Sequence, residues 1–214
     1  MDETPVTVRA VEDVGPETVA VTFETPEGFA AEPGQFVRVV REFEDGESEG
    51  RYYTLSSPTV AETFEVTVGV DPEGTLGPWL ASREPGDEVT VEGPFGDEYY
   101  QGEPSVLVLA GGPGVGPAVA IAERAVEAGA EVALAYEDDQ PVHEPRLAAL
   151  SEAGASVLVV SDAFEDAVAT LADASDQAAF VYGFSAFCGA ATDALEAEGF
   201  DTDAAKVESF GPAP

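Results

Sequence analysis

The period of the apolar residues changes once along this chain, near residue 100, and that change limits the architectures open to it. Before it, short runs alternate apolar and polar residues at 6–8, 19–23, 36–40, 52–55, 64–68 and 89–91. A period of two marks strands buried on one face. Turns such as Thr25-Pro26-Glu27-Gly28 and Glu84-Pro85-Gly86-Asp87 separate them, and a short helix is predicted over 76–83. Six short strands at this spacing predict a closed or nearly closed antiparallel β-barrel. After Pro104 strands and helices take turns, with strands at 106–110, 131–136, 156–160, 178–182 and 206–210. The helices between them are predicted over 117–128, 144–152, 163–172 and 186–198. Val106-Leu107-Val108-Leu109-Ala110 is apolar throughout, as a parallel strand covered on both faces must be. The second half thus predicts an α/β doubly wound parallel sheet. The expected domains are residues 1–100 and 101–214, with a linker over 97–104.

Charge narrows the functional classes. The 214 residues carry 43 Asp+Glu against 8 Lys+Arg, a net charge of −35. With 44% hydrophobic residues the chain still has a core to bury, so it is globular rather than disordered. No basic patch exists for phosphate backbones, which excludes nucleic acid as a partner, and an anionic membrane surface would repel the protein. On a surface of about 9,300 Å², expected from the mass, net charges lie about 16 Å apart. The Debye length is about 10 Å at 0.1 M salt and 3 Å at 1 M. Repulsion therefore persists in dilute buffer and fades in molar salt, the pattern of a halophilic composition and a high-salt cytoplasm.

Cys188 and His143 are the only cysteine and histidine. An internal disulfide and a four-cysteine cluster are excluded, and no metal site is expected. The N-terminus lacks the basic start and apolar stretch of a signal peptide, so a cytoplasmic location is expected. The uncharged window 105–122 reaches the lower length limit of a membrane span, but glycines and prolines at its centre would break such a helix. Nothing in the pattern demands an oligomer, and a monomer is expected.

The strongest local motif is Gly111-Gly112-Pro113-Gly114-Val115-Gly116-Pro117, between a buried strand and a helix. Glycines there let a backbone approach phosphates, and the helix start offers free N–H groups. The same glycines would also serve a plain tight turn. A P-loop is excluded, because no Gly-Lys-Ser/Thr follows. At the end of the next strand, Glu137-Asp138-Asp139 offers acceptors for a ribose hydroxyl and no cation for a 2′-phosphate, which favours NADH over NADPH. In a chain this acidic, the cluster can equally be solvated surface.

In the first half, Arg51-Tyr52-Tyr53-Thr54-Leu55-Ser56-Ser57 sets a scarce arginine beside two aromatics and three hydroxyls. A guanidinium binds pyrophosphate bidentately, an aromatic packs on a planar ring, and a hydroxyl can bond a ring nitrogen. A strand with a surface arginine and core tyrosines would read the same way. A second glycine turn, Gly74-Thr75-Leu76-Gly77-Pro78, could hold another phosphate.

Five motifs then fall in order: Pro33-Gly34-Gln35-Phe36, Arg51-x-Tyr53-Thr54, Gly93-Pro94-Phe95-Gly96, Gly111-Gly112-x-Gly114-Val115-x-Pro117 and Glu208-Ser209-Phe210. In these the chain resembles the ferredoxin–NAD(P)+ reductase family of flavoenzymes. The resemblance implies FAD, rather than FMN, in the barrel. Arg51 would pair with its pyrophosphate, Tyr52 would lie at the site, Tyr53 would pack on the isoalloxazine, and Thr54 would bond near N5. Val68 and Val70, flanking Gly69, would present backbone to the flavin. Gly74, Thr75, Leu76 and Gly77 would hold the pyrophosphate. Gly112, Pro113, Gly114, Val115, Gly116 and Pro117, with Glu137, Tyr182, Gly183 and Phe210, would receive NADH or NADPH. Thr54 and Glu208 are the candidate catalytic residues.

Three departures from the family stand out, one being that the basic residues that often select NADP are absent after Tyr136, in agreement with the preference for NADH. Gly77 replaces a usual Ser, and Tyr182-Gly183-Phe184 replaces Cys-Gly-Pro; Cys188 reads as a buried helix residue, not a substitute. The implied activity is hydride transfer from NAD(P)H to FAD, then single electrons to a separate carrier such as ferredoxin. The alternatives are an electron-transfer subunit of a larger oxidoreductase and a non-catalytic flavin- or nucleotide-binding module.

Overall fold

The computed structural model describes residues 3–43 and 46–213. The first half contains β1 (Thr4–Gly15), β2 (Thr18–Glu24), β3 (Phe36–Glu42), β4 (Ser48–Thr54), β5 (Thr63–Gly69), α1 (Leu76–Ala81) and β6 (Glu88–Phe95). The strands form one antiparallel sheet in the order β4-β3-β6-β1-β2-β5. Its two ends meet where Leu55, just past β4, bridges Val66 of β5, and Ser56 N donates to Glu65 O at 2.8 Å. The sheet is thereby closed into a barrel. Alternation does the work: Phe64, Val66 and Val68 of β5 point inward and Glu65 and Thr67 do not. Leu76 and Leu80 place α1 in the same core.

Three strands run well beyond the sequence reading, one of them β6, which continues past Val91 to Phe95 opposite Phe36. β1 runs on to Gly15 through the polar Glu12-Asp13, because it pairs with β2 across register shifts at Val8/Ala10 and Asp13/Gly15. β4 begins at Ser48, where Ser48-Glu49-Gly50 carries no apolar alternation to announce it.

The second half contains β7 (Ser105–Gly111), a 3-10 turn (Gly112–Gly114), α2 (Val115–Glu127), β8 (Glu131–Glu137), α3 (Glu144–Glu152), β9 (Ser156–Val160), α4 (Phe164–Leu171), β10 (Ala178–Gly183), α5 (Ser185–Ala197) and β11 (Lys206–Ser209). The five strands are parallel, in the order β11-β10-β7-β8-β9. Every residue of β7 is buried. Its Val106, Val108 and Ala110 pack against α2 and α3, while Leu107 and Leu109 pack against α4 and α5. The sheet is thus doubly wound, and the chain reverses its direction of travel across it between β7 and β10. That switch point is where such sheets bind ligands. At one edge, β9 pairs only with β8 among the described residues and leaves Val159 exposed. Among the described residues, no helix is long and apolar enough to cross a membrane.

Candidate functional site

On the barrel side the site is built from β4, the end of β5 and the start of α1. Arg51 and Tyr53 share a face of β4, opposite Val39 and Val37 of β3. Arg51 is half exposed, with Nε 3.3 Å from Glu49 Oε1. Tyr53 is partly buried against the barrel core, and burial pushes its phenol up to about 12. Tyr52 points the other way, exposed and edge-on to Phe36 and Phe95. Thr54 closes β4 opposite Phe36. Val68 puts its side chain in the core, and Gly69 is exposed with no atom within 4 Å of where a Cβ would stand. Val70 N donates to Glu17 O.

Gly77 has a structural reason to lack a side chain. A Cβ there would stand 2.6 Å from the carbonyl oxygen of Gly69, so a serine would push α1 away from the strand end. Thr75 is exposed, and its carbonyl accepts a hydrogen bond from Arg41. Gly74 N donates to Asp71 O, which turns the chain into the segment Thr75-Leu76.

On the other side lies the glycine turn at the switch point. Gly112 has φ +53, a left-handed value that favours glycine, and space around it is open. A Cβ on Gly114 would fall 1.9 Å from Tyr182 O, so the turn between β7 and α2 lies directly on β10. Gly111 and Gly183 flank the ring of Phe187, which pairs edge-on with Phe164. Pro113 lies in the 3-10 turn, and Val115 and Pro117 are buried in the first turn of α2.

Gly116 joins the two sides. A Cβ there would stand 2.9 Å from Thr67 Oγ1 and 3.4 Å from Ser56 Cβ. Thr67 precedes Val68, and Ser56 follows Thr54 by two residues. The glycine turn of the second half and the strands of the barrel therefore share a wall.

Glu137 ends β8 directly across from Gly111. Burial, with Glu165 and Asp139 nearby, pushes its carboxyl above the ordinary range. Asp138 is turned to local work: it accepts from Tyr136 Oη at 3.0 Å and from Gln140 N at 2.8 Å. Tyr182 is fully buried, and its hydroxyl donates to Glu98 O at 2.6 Å, so its side chain faces the linker rather than the glycine turn. Glu208 pairs across β10 with Tyr182, and burial and Glu98 raise its carboxyl. Phe210 N donates to Gly183 O, and its ring is edge-on to Phe184. Cys188 is buried on α5.

Sequence reasoning missed the groups that hold the two halves together. Arg146, on α3, forks onto Glu123 of α2 at 2.8 and 2.7 Å, and also reaches Glu65 at 3.0 Å and Ser56 O at 2.6 Å in the barrel. His143 Nε2 lies 2.8 Å from Thr67 Oγ1. Lys206 reaches Tyr99 O and Glu103 in the linker. Scarcity was the available signal: in a chain this acidic, each half-buried cation has a reason to be there.

Residues 5–100 match the family model described as the oxidoreductase FAD-binding domain. The glycine betaine monooxygenase reductase subunit of Chromohalobacter salexigens is 38% identical over 117 residues, which are 53% of this chain and 32% of that protein. The chain thus spans about a third of that relative's length. The structure of the Amycolatopsis cytochrome P450 reductase GcoB superposes on 100% of this chain and 71% of its own, with a TM-score of 0.81 and 25% identity. A ferredoxin NADP+ reductase from Neisseria gonorrhoeae with bound FAD and NADP superposes over 100% of both chains, with a TM-score of 0.77 and 17% identity.

Proposed function

We propose that this protein, whose residues 5–100 match the model of the oxidoreductase FAD-binding domain, is a flavin-dependent reductase that draws electrons from NAD(P)H and passes them to a separate carrier protein. One observation carries the reading: Gly116 of the nucleotide turn lies against Thr67 and Ser56, the neighbours of the flavin motif. Two cofactor sites with a common wall are what direct hydride transfer requires.

The residues present suit FAD. Gly69 leaves open space beside the end of β5, Arg51 offers a half-exposed guanidinium, and Tyr53 offers a half-buried ring. Arg51 would hold the pyrophosphate, Tyr53 and Thr54 the isoalloxazine, and the backbone at 68–70 and 74–77 the rest. With Gly77 constrained by Gly69 O, the serine hydroxyl usual in that turn has no room here. Bound FAD would supply the conversion between two-electron and one-electron chemistry, so the protein itself needs no nucleophile or general base. Residues 112–117 would take the nicotinamide nucleotide, with Glu137 accepting from a ribose hydroxyl and so favouring NADH. Residues 1–100 and 101–214 are the corresponding domains. Glu208 would help position the nicotinamide. The likeness to a monooxygenase reductase subunit supports an acceptor on a separate chain, of ferredoxin type. The acidic surface supports a cytoplasm of high salt.

Absorbance tests this. Protein prepared in molar KCl is expected to bind FAD, turn yellow, and bleach within seconds when NADH is added anaerobically. Arg51→Ala should weaken FAD binding by about 10- to 100-fold, the worth of a charge-assisted pair, with barrel stability little changed. Protein that takes up no FAD overturns the reading, and equal FAD affinity in the variant overturns the role of Arg51. A higher kcat/KM with NADPH than with NADH would reduce Glu137 to surface.

A further inference from the structure

Arg146 and His143 lie at the start of α3, which packs beside α2 on the same face of the sheet, and neither belongs to a cofactor motif. What they touch singles them out. Arg146 fastens α2, through Glu123, to the two barrel segments that carry the flavin motif, through Glu65 and the carbonyl of Ser56. Ser56 Oγ also donates to Glu65 Oε1 at 2.8 Å, which fixes the carboxylate that Arg146 meets. His143 reaches Thr67, on the same face of β5 as Glu65, and its backbone N–H donates to Val14 O at the end of β1. Gly15 makes room there, because a Cβ on it would stand 2.4 Å from Val142 Cγ1. Ser56 and Thr67 are thus held twice, by the Arg146–His143 pair and by Gly116 at the start of α2.

The consequence is mechanical. Gly116 and Glu123 lie two turns apart on one side of α2, a separation of about 10 Å. Because α2 is packed on its own sheet, the motion at issue is that of the second half against the barrel, and two contacts along α2 hold its direction where one would leave it free to tilt. The glycine turn at the head of α2 moves with it. We propose that Arg146, supported by His143, is a positioning residue for hydride transfer: it fixes the glycine turn against β5 and so sets the approach of nicotinamide to flavin. The proposal rests on the flavin-reductase reading above. Hydride transfer is steep in distance and angle, so a small pivot costs rate without loosening the flavin.

Two variants test it. Arg146→Lys keeps a cation between Glu65 and Glu123 but loses the planar fork. Removing the cation alone would leave two carboxylates unpaired, so the second variant combines Arg146→Met with Glu65→Gln and Glu123→Gln, which removes all three charges together. The triple variant is expected to bind FAD within twofold of wild type. Its flavin should be reduced at saturating NADH at least tenfold more slowly, with KM changed less than threefold, and the lysine variant should fall between. The long-wavelength nicotinamide–flavin absorbance should weaken in parallel. Amide hydrogen exchange should quicken about tenfold in α2 and in residues 56–67, with β3 and β6 unchanged. Reduction within twofold of wild type in the triple variant overturns the proposal, as does a rate loss matched by an equal loss of FAD. A wild-type protein that neither nucleotide reduces overturns the reductase reading and the positioning role with it. The exchange data, which need no turnover, still report whether Arg146 holds the two halves together.

Discussion

The single histidine lies where the two halves meet, and its environment sets a pH dependence. Burial, with the guanidinium of Arg146 beside it, pulls the imidazole of His143 down to about 4. An unfolded histidine titrates near 6.5. Between those values the unfolded chain binds the additional proton, so this contribution is whole above about pH 6.5 and is lost as pH falls toward 4. From pH 7.5 to pH 5 the loss is about 2 kcal/mol. His143→Gln keeps an amide near Thr67 and removes that titration. The difference in unfolding free energy between wild type and variant, from urea curves in molar KCl, should shrink by about 2 kcal/mol over this range. A difference constant with pH would show that another group titrates. Nothing in the local sequence announced this residue. Its partner Thr67 is 76 positions away, and His143 itself takes a left-handed φ of 57° at the start of α3, which no side-chain pattern signals.

At the level of elements, the glycine turn shows how legibility divides. Its place between a buried strand and a helix was readable, because Val106–Ala110 is apolar throughout and glycines stand at 111, 112, 114 and 116 directly after it. Which backbone each glycine approaches was not, since Tyr182 and Thr67 belong to distant elements. β4 was only half legible for a related reason: its outer end lies at the barrel rim, where no alternation is required. Arg146 was invisible as a clamp because its barrel partners lie 81 and 90 positions back. Two glycines should behave oppositely. Gly114→Ala must move the turn off the carbonyl of Tyr182, which costs at least about 2 kcal/mol of stability. Gly189, exposed within α5 with open space around it, should gain about 0.5–1 kcal/mol as alanine. Chemical denaturation of both variants checks the pair; a neutral Gly114→Ala would mean that the turn is not tightly seated on β10.

For the whole molecule the governing quantity is charge over surface. A net −35 spread over 10,285 Å² leaves roughly 290 Å² per charge, a spacing that molar salt screens and dilute buffer does not. Meanwhile Arg38, Arg146 and Lys206 are engaged in partly buried ion pairs, which salt screens far less. Lowering KCl from 2 M to 0.1 M should therefore reduce Tm by about 10 °C or more through surface repulsion, and sucrose at equal osmolality should not restore it. A Tm indifferent to KCl would refute the screening argument. The open edge at β9 gives screening a second effect. Ser156–Val160 is a short, mostly apolar strand whose outer hydrogen-bonding groups have no strand beside them among the described residues, and such edges template pairing between molecules. In dilute buffer like charge keeps two copies apart. The salt that steadies each molecule also weakens the repulsion between those edges, so any self-association is expected at β9 and at high salt, where sedimentation would detect it.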